Sequence, residues 1–376
     1  MRKKRRSNET PYERVALVLQ GGGSLGMYQV GVFEALCEAG YAPGWIAGTS
    51  IGAINAAIMA GNAPDERIAK LEAFWETISR DELWTVADWN GELRRLRNSW
   101  SSLEAVTLGQ PGFFRPRLVN PWLAPPATRD AVSYYDTRPL LDTLHGLVDL
   151  ERLNGGGVRI SVGAVKVTTG APVYFDSARR KIGYEHIMAS GALPPGFPPV
   201  EVEGELYWDG GIFSNTPLEA VLDDEPRVST LCFMVDLFNP VGPAPRTMDD
   251  VLARHKDIIY ASRTHRHIDS YRRTHNLRRA VMALWNDLPR EARTDSELQR
   301  LAGLGCTTTM FIEHFIYRSQ PSETAAKDYE FSKASIAEHR AAGCRDAKRA
   351  LDDAAWRDPP PANVGVIVHQ AASVPA

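Results

Sequence analysis

The chain has 376 residues, of which 44% are hydrophobic and 24% are charged, and its formal net charge is −3. This balance is typical of a globular protein with room for one large domain, and it excludes a fibrous or disordered chain. A dedicated nucleic-acid-binding domain usually carries a basic excess, so we expect no nucleic-acid partner. The four cysteines lie far apart without metal-ligand spacing, so we expect neither a metal nor another cofactor.

The N-terminal segment is basic, because Arg or Lys occupies five of the first six positions. A secretory signal needs a longer apolar core than the five residues from Val15 to Leu19. The chain contains no run of 18 apolar residues, so we expect no transmembrane helix. We therefore expect a cytoplasmic protein with a basic tail over residues 1–13. That tail is either solvated or in contact with an anionic membrane surface.

The first sixty residues predict the opening of an α/β sheet. A short apolar strand begins at Arg14 and runs into a glycine loop, and a helix follows over residues 25–39. Trp45–Thr49 reads as a second strand, and residues 51–60 read as a nearly uncharged helix. A helix without a polar face is a buried one. This order of elements indicates a three-layer α/β/α fold.

The rest of the chain changes character twice. Residues 85–135 form an aromatic and proline-rich stretch, and such long irregular segments are often functional, so we interpret it as a cap or lid insertion. After Pro245 the chain reads as mostly helical, and its last fifteen or so residues as loosely ordered. The other predicted elements are a helix at 64–80, strands at 158–168, 172–176 and 229–237, a basic helix at 248–285, a strand at 308–317 and a helix near 327–352.

The motif Gly48-Thr49-Ser50-Ile51-Gly52 lies between a predicted strand and a predicted helix. A nucleophile on such a tight turn has a strained backbone, and side chains two residues to either side would collide. Ser50 would stand at the amino end of helix 51–60, where the helix dipole favours a developing alkoxide. The same pentapeptide also occurs as a plain turn, so both interpretations stay open at this point.

Three successive glycines, Gly21, Gly22 and Gly23, follow the first strand, with Gly26 three positions later. Their backbone N–H groups predict a site for a tetrahedral oxyanion. The same letters fit the dinucleotide-binding pattern. That pattern needs an acidic residue about 20 positions on, and residues 45–50 contain none.

The third motif is Asp209-Gly210-Gly211, directly after a short predicted strand at 206–208. An acid followed by two glycines lies in an open turn, where its carboxylate can reach a neighbouring group. As a general base, Asp209 would accept the proton of Ser50. Taken alone, the tripeptide is also a common turn.

An α/β-hydrolase with a Ser-His-Asp triad is the main competing interpretation. That fold places its nucleophile after several strands, whereas only one strand precedes the Ser50 strand here. The triad also needs a histidine after the acid. The candidates are His255, His265, His267, His275 and His314, most of them among arginines in the long helix.

The order GGGxxG at 21–26, GxSxG at 48–52 and DGG at 209–211 resembles the patatin-like phospholipases. Residues 189–200 also resemble the stretch that precedes the DGG loop in that family. The resemblance covers roughly residues 14–240, and the three motifs together are highly specific. The C-terminal third is similar to an extension found on some bacterial members.

The resemblance implies a serine lipid acyl hydrolase that works through a Ser–Asp dyad without a histidine. In this mechanism Asp209 takes the proton of Ser50, and Ser50 attacks the acyl carbonyl. Backbone N–H groups around Gly22 and Gly23 stabilise the oxyanion. Water activated by Asp209 then hydrolyses the acyl-serine intermediate. One position departs from the family, because Leu25 stands where many members have a basic residue.

These inferences divide the chain into a catalytic domain at 14–243 and a C-terminal extension at 244–376. The expected substrate is a lipid acyl ester, and Gly48, Gly52, Gly210 and Gly211 support the two turns. Acyl transfer, thioester hydrolysis and a non-catalytic lipid-binding scaffold remain alternatives. The roles of residues 111–126 as a lipid-contacting flap and of the basic helix 251–282, like the oligomeric state, stay open.

Overall fold

The computed structural model describes residues 10–80, 91–126, 128, 131–361 and 364–370, without the side chains of residues 91, 262, 263 and 265. Most of the predicted basic tail lies outside these ranges. So do the first residues of the predicted cap and the last six residues of the chain.

A mixed sheet forms the centre of the described structure. In chain order the strands are β1 Arg14–Leu19, β2 Trp45–Thr49, β3 Arg115–Pro116, β4 Tyr135–Asp136, β5 Arg159–Lys166, β6 Pro172–Asp176, β7 Val200–Val202, β8 Glu205–Asp209, β9 Thr230–Asp236, β10 Met310–Ile316 and β11 Val366–His369. The sheet has the order β11-β10-β9-β1-β2-β5-β8-β7, and β6 also pairs with β5. Neighbours from β11 to β5 run parallel, whereas β6 and β8 run antiparallel to β5, and β7 to β8.

Helices cover both faces of this sheet. They are α1 Met27–Glu38, α2 Ile51–Ala60, α3 Arg67–Thr77, α4 Gly91–Leu108, α5 Arg138–Leu147, α6 Leu150–Asn154, α7 Tyr184–Ser190, α8 Leu218–Leu222, α9 Met248–Asp287, α10 Ser296–Ala302 and α11 Lys333–Asp353. Along β1, Leu17 and Leu19 join the core under α1, α2 and α11, whereas Ala16 and Val18 join a second core under α8 and α9. Burial on both faces explains why β1 reads as an unbroken apolar run. The predicted α/β sheet between helical layers is confirmed.

The C-terminal region adds to the sheet as well as to the helices. The predicted basic helix is α9, and the side chains of Thr247 and Asp250 cap its first turn. β10 pairs with β9, and residues 366–369, which the sequence predicted to be loosely ordered, form β11 beside β10. The helix predicted near 327–352 begins only at Lys333, because the Ser332 hydroxyl caps its first turn by accepting from the N–H of Ser335.

Two glycines bring α11 against α1. A Cβ atom at Gly343 would lie 2.0 Å from the carbonyl oxygen of Tyr28, and one at Gly31 would lie 2.0 Å from that of Arg340. The two helix backbones therefore touch. The C-terminal region thereby packs directly on the part of the chain that follows the glycine loop.

The predicted cap at 85–135 is more regular than its composition suggested. Residues 91–108 form α4, and the prolines begin only at Pro111, after that helix has ended. Beyond it, β3 and β4 pair as a short antiparallel ribbon. Among the described residues, none of the helices combines the length and the hydropathy needed to cross a bilayer.

Candidate active site

Ser50 lies on a strained turn between β2 and α2. Its backbone has φ 55° and ψ −126°, which L-amino acids rarely adopt. A Cβ atom at Gly48 would lie 2.3 Å from the carbonyl oxygen of Gly52, and one at Gly52 would lie 2.4 Å from that of Leu19. Only glycine fits at either position, as the sequence motif predicted. The turn therefore holds Ser50 at the N-terminus of α2.

Ser190, the last residue of α7, braces this turn. The backbone N–H of Ser50 donates to Oγ of Ser190 at 2.9 Å, and the Ser190 hydroxyl donates to the carbonyl oxygen of Gly163 at 2.6 Å. Ser190 is fully buried. Its hydroxyl thus satisfies an N–H group that the strained turn leaves without a backbone partner.

Asp209, at the end of β8, faces Ser50. Its carboxylate accepts a hydrogen bond at 2.7 Å from the backbone N–H of Gly211, and the Ser50 hydroxyl lies close enough to lower its pKa. Its own N–H donates to the carbonyl oxygen of Ala192 at 3.0 Å. A Cβ atom at Gly210 would lie 2.6 Å from the Gly163 carbonyl oxygen, so this turn also needs glycine. The structure thus brings Ser50 and Asp209 together.

Burial controls the protonation of Asp209. Its side chain is buried, and loss of hydration raises its pKa from 3.8 to about 7, although the hydrogen bonds from Ser50 and Gly211 oppose this rise. A carboxyl group with a pKa near neutrality is well matched to accepting and returning a proton at physiological pH.

The glycine loop lies against the same turn, since a Cβ atom at Gly21 would lie 2.9 Å from Cβ of Ser50. The N–H of Gly21 is engaged, because it donates to the carbonyl oxygen of Asn215 at 3.1 Å. The Asn215 side chain donates in turn to the Gly21 carbonyl oxygen at 2.9 Å. Within the described ranges, the N–H groups of Gly22 and Gly23 donate to no acceptor. Of the three predicted oxyanion donors, Gly21 therefore already has an acceptor, whereas the N–H groups of Gly22 and Gly23 are available.

Two further glycines of the loop allow close packing. Gly23 has φ 56°, and a Cβ atom there would lie 2.1 Å from the carbonyl oxygen of Asp328. A Cβ atom at Gly26 would lie 2.6 Å from the Ile51 side chain on α2. The loop is therefore fixed between α2 and a segment from the C-terminal region.

An apolar cavity opens onto Ser50, Asp209 and the glycine loop. Its volume is about 70 Å³, which is narrow beside the usual volume of ligand sites. Phe113 packs at 6.1 Å between ring centroids against both Phe197 and Phe331, and all three line the cavity. Phe113 belongs to the stretch that the sequence interpreted as a cap.

The C-terminal region supplies part of the cavity wall, which sequence reasoning missed. Asp328, Tyr329 and Phe331 line the cavity, and the Ser24 hydroxyl donates to the carbonyl oxygen of Lys327 at 2.6 Å. These residues belong to no motif and lie far from the glycine loop in the sequence. Asn215 carried no signal either, whereas Ser190 lay within the 189–200 stretch that resembled the family.

Two ion pairs hold this wall against α9. Nζ of Lys256 donates to the Asp328 carboxylate at 2.6 Å, and Nζ of Lys327 donates to that of Asp257 at 2.7 Å. Lys327 also donates to Oγ of Ser319 at 2.6 Å. This link gives the first half of the predicted basic helix a structural role beside the site.

None of the described histidine side chains lines the cavity around Ser50, so the geometry does not support a Ser-His-Asp triad. His314 forms a buried pair with Asp236 at 2.8 Å, but it lies on β10, three strands away from β2. That separation corresponds to about 14 Å at the usual strand spacing. His275 contacts the carbonyl oxygen of Thr308. The group that faces the Ser50 hydroxyl is instead Asp209, whose pKa this hydroxyl lowers.

This fold and this arrangement of motifs define the patatin class of lipid-acting proteins. A family model described as "Patatin-like phospholipase" matches residues 17–222, and a second, described as "Patatin phospholipase", matches residues 258–363. The chain belongs to the patatin-like phospholipase family.

The individual proteins that resemble this chain share a low identity with it or match only a short part of it. An NTE family protein of Mycobacterium tuberculosis is 26% identical over 208 residues, which cover 55% of this chain and 45% of that protein. The chain thus spans about half the length of its mycobacterial relatives. Lysophospholipase nte1 of Aspergillus terreus is 57% identical over 49 residues, 13% of this chain and 3% of that protein. VipD of Legionella pneumophila, a solved structure, aligns with a TM-score of 0.43 at 16% identity over 92% of this chain and 68% of that chain.

Proposed function

We propose that this chain is a serine lipid acyl hydrolase in which Ser50 is the nucleophile and Asp209 the general base. The observation that carries the proposal is the close approach of the Ser50 hydroxyl to the buried Asp209 carboxylate, at the foot of an apolar cavity. A base in direct contact with a hydroxyl activates it as a nucleophile. Membership of a phospholipase family indicates an acyl ester of a lipid as the substrate.

In the first half of the reaction, Asp209 removes the proton from the Ser50 hydroxyl, and Oγ of Ser50 attacks the acyl carbonyl carbon. The negative charge that develops on the carbonyl oxygen is stabilised by the N–H groups of Gly22 and Gly23. The N-terminus of α2 adds a favourable dipole. Collapse of the intermediate breaks the ester bond, and protonated Asp209 gives its proton to the leaving alcohol.

In the second half, the ionised Asp209 takes a proton from water, and the hydroxide attacks the acyl-Ser50 ester. The oxyanion again forms opposite Gly22 and Gly23. When the carbon–oxygen bond to Ser50 breaks, the fatty acid leaves and the proton returns from Asp209 to Ser50. One carboxyl group therefore serves as base and acid in turn, which suits a pKa of about 7.

Covalent labelling tests this assignment. We expect a fluorophosphonate to add to the wild-type protein and not to Ser50→Ala, with a rate for Asp209→Asn at least about a hundredfold lower. Intact-mass measurement counts the adduct, and a peptide map locates it at Ser50. Hydrolysis of a phospholipid and of a short soluble ester by the same three proteins tests the reaction itself.

Ser24→Ala is the matched serine control, because Ser24 is buried in the same region but donates to the carbonyl of Lys327. It should still be labelled. An unlabelled wild-type protein that is folded by circular dichroism, tested with and without lipid, would refute the hydrolase and favour a lipid-binding scaffold.

A further inference from the structure

Helix α4 buries its polar side. Asn98, which is 3% exposed, donates from its side-chain amide to the carbonyl oxygen of Ser322 at 3.1 Å. Ser102 and Ala105 are also buried, and the Ser102 hydroxyl donates to the carbonyl oxygen of Asn98, one turn earlier in the same helix, at 2.9 Å. This side of α4 rests on the segment that forms the C-terminal wall of the cavity.

The opposite side of α4 is apolar and faces solvent. With about 3.6 residues per turn, positions 93, 96, 100 and 103 share one side of the helix, and positions 98, 102 and 105 share the other. The exposed positions carry Leu93, Leu96, Trp100 and Leu103, and Trp100 is 71% exposed. A surface helix of a globular protein normally has the reverse arrangement, with its apolar stripe on the core.

Other exposed apolar residues lie near both ends of α4. Beyond the C-terminal end of α4, the 118–123 loop exposes four large apolar side chains, and Trp122, 84% exposed, donates to the hydroxyl of Tyr134 at 3.1 Å. At the other end, Arg95 pairs with Asp249 at 2.8 Å and so places the first turns of α9 beside α4. We call the following set the apolar rim: Leu93, Leu96, Trp100, Leu103, Leu118, Val119, Trp122, Leu123, Met248, Val251, Leu252 and Ile259.

The apolar rim adjoins the cavity that contains Ser50. The Tyr135 hydroxyl donates to the carbonyl oxygen of Val106 on α4 at 2.7 Å, and its ring packs at 4.9 Å from that of Phe114, which lines the cavity. Next to the rim residues of α9, Tyr260 and Tyr329 also line it. An exposed apolar surface of this kind marks a membrane or protein contact.

The charge around the rim favours an anionic surface. Within residues 91–126 and 131–138 there are six arginines and three acidic residues, although Arg94 pairs with Glu338 and Arg95 with Asp249 and Asp250 outside these ranges. Arg115 and Arg138 share one carboxylate, that of Asp136. Basic residues that flank exposed Trp and Leu side chains are typical of helices that lie in a lipid headgroup region.

We propose that the apolar rim inserts into the surface of an anionic lipid bilayer and so holds the cavity mouth against the membrane. In this arrangement α4 lies in the interface with its Leu and Trp side chains among the acyl chains. A lipid acyl chain then passes from the bilayer into the aromatic cavity without crossing water. This inference rests on the proposed function for its purpose, but membrane binding itself does not require an active Ser50.

Vesicle flotation tests the surface directly. On a Ser50→Ala background, which leaves the vesicles intact, Leu96→Glu/Trp100→Glu should lower partitioning onto vesicles of phosphatidylcholine and phosphatidylglycerol by about tenfold or more. Glu is a good helix former, so these exposed substitutions should preserve α4. Vesicles of phosphatidylcholine alone, or high salt, should also bind less protein.

Leu284→Glu is the matched control. Leu284 is 69% exposed on α9, and it lies 36 residues after Met248 on that helix, about 50 Å along its axis. Its substitution should leave flotation unchanged. With Ser50 intact, the α4 variant should hydrolyse a soluble short-chain ester at the wild-type rate and vesicle phospholipid at about a tenth of it or less.

Equal flotation of the α4 variant and the Leu284 control would overturn the proposal. A second result would also overturn it: the wild type forms dimers and does not bind vesicles, and the α4 substitutions abolish the dimer. The apolar rim would then be the contact with a second copy of this chain. A wild-type protein that floats with vesicles but hydrolyses neither substrate would sink the proposed function and leave this inference standing.

Discussion

The Asp209 carboxyl group lies where its negative charge is disfavoured, and this sets the expected pH dependence of the reaction. Its pKa is raised to about 7 by burial. Only the ionised form accepts the Ser50 proton. We therefore expect kcat/KM for a soluble ester to rise tenfold per pH unit at low pH and to level off around pH 7. A pH–rate profile checks this, and a midpoint near pH 4 would contradict the effect of burial.

The same pKa predicts the stability of Asp209→Asn. In the unfolded chain an Asp ionises near pH 4, whereas in the folded protein it keeps its proton until about pH 7. Between these values the unfolded state binds fewer protons, so the wild type loses stability as the pH rises. Three pKa units correspond to up to about 4 kcal/mol.

Asn carries no charge, so Asp209→Asn should gain stability relative to the wild type between pH 4 and pH 7. The gain in stability should persist above pH 7. It should be smaller than the full value, because an amide at position 209 accepts weaker hydrogen bonds from Ser50 and Gly211 than a carboxylate does. Urea unfolding at pH 4.5 and pH 8 measures it. A difference between the two proteins that is the same at both pH values would rule out a raised pKa.

Ser190 gives a prediction about positioning. In Ser190→Ala the N–H of Ser50 loses its acceptor, and a buried unsatisfied donor costs about 1–3 kcal/mol. The strained turn should then relax, and fluorophosphonate labelling of Ser50 should slow by about tenfold or more. Ser335→Ala, which changes another buried serine on α11, should leave labelling unchanged. Labelling of Ser190→Ala at the wild-type rate would show that Ser190 is only structural.

At the scale of elements, the β2–α2 turn depends on the approach of two backbones. Gly48→Ala should destabilise the protein by several kcal/mol, because its Cβ would lie 2.3 Å from the Gly52 carbonyl oxygen. Gly44→Ala is the control, since no atom lies within 4 Å of a Cβ built there. Thermal unfolding compares them. Equal midpoints for the two variants would mean that the turn opens easily.

The sequence predicted the elements whose backbone demands a particular residue. The turns beside Ser50 and Asp209 were predictable because glycine alone fits at Gly48, Gly52 and Gly210. Strand β1 was predictable because its apolar run is unbroken. Helix α4 was missed because its apolar residues face solvent, so its pattern does not mark a core contact. The wall at 327–331 was missed because it is positioned by tertiary contacts and carries no local signal.

At the scale of the whole molecule, the Lys327 carbonyl oxygen accepts from Ser24 next to the glycine loop, and the buried Lys327 side chain holds this segment to α9. Lys327→Met would leave the nearly buried Asp257 carboxylate without its Lys327 partner, which should cost about 3–5 kcal/mol. Lys348→Met, which removes an exposed pair with Glu38, should cost less than about 1 kcal/mol. Denaturant unfolding measures both. Similar losses for the two variants would mean that the buried pair contributes no more than a surface pair.

The wall formed by Asp328, Tyr329 and Phe331 has a consequence for biosynthesis. Ser50, Asp209 and the glycine loop leave the ribosome long before these residues are made. Until then the cavity lacks one side, β9 lacks its neighbour β10, and Gly23 lacks the carbonyl oxygen packed against it. The cavity around Ser50 is therefore completed only late in translation, so a nascent or prematurely terminated chain has no complete place to hold a lipid.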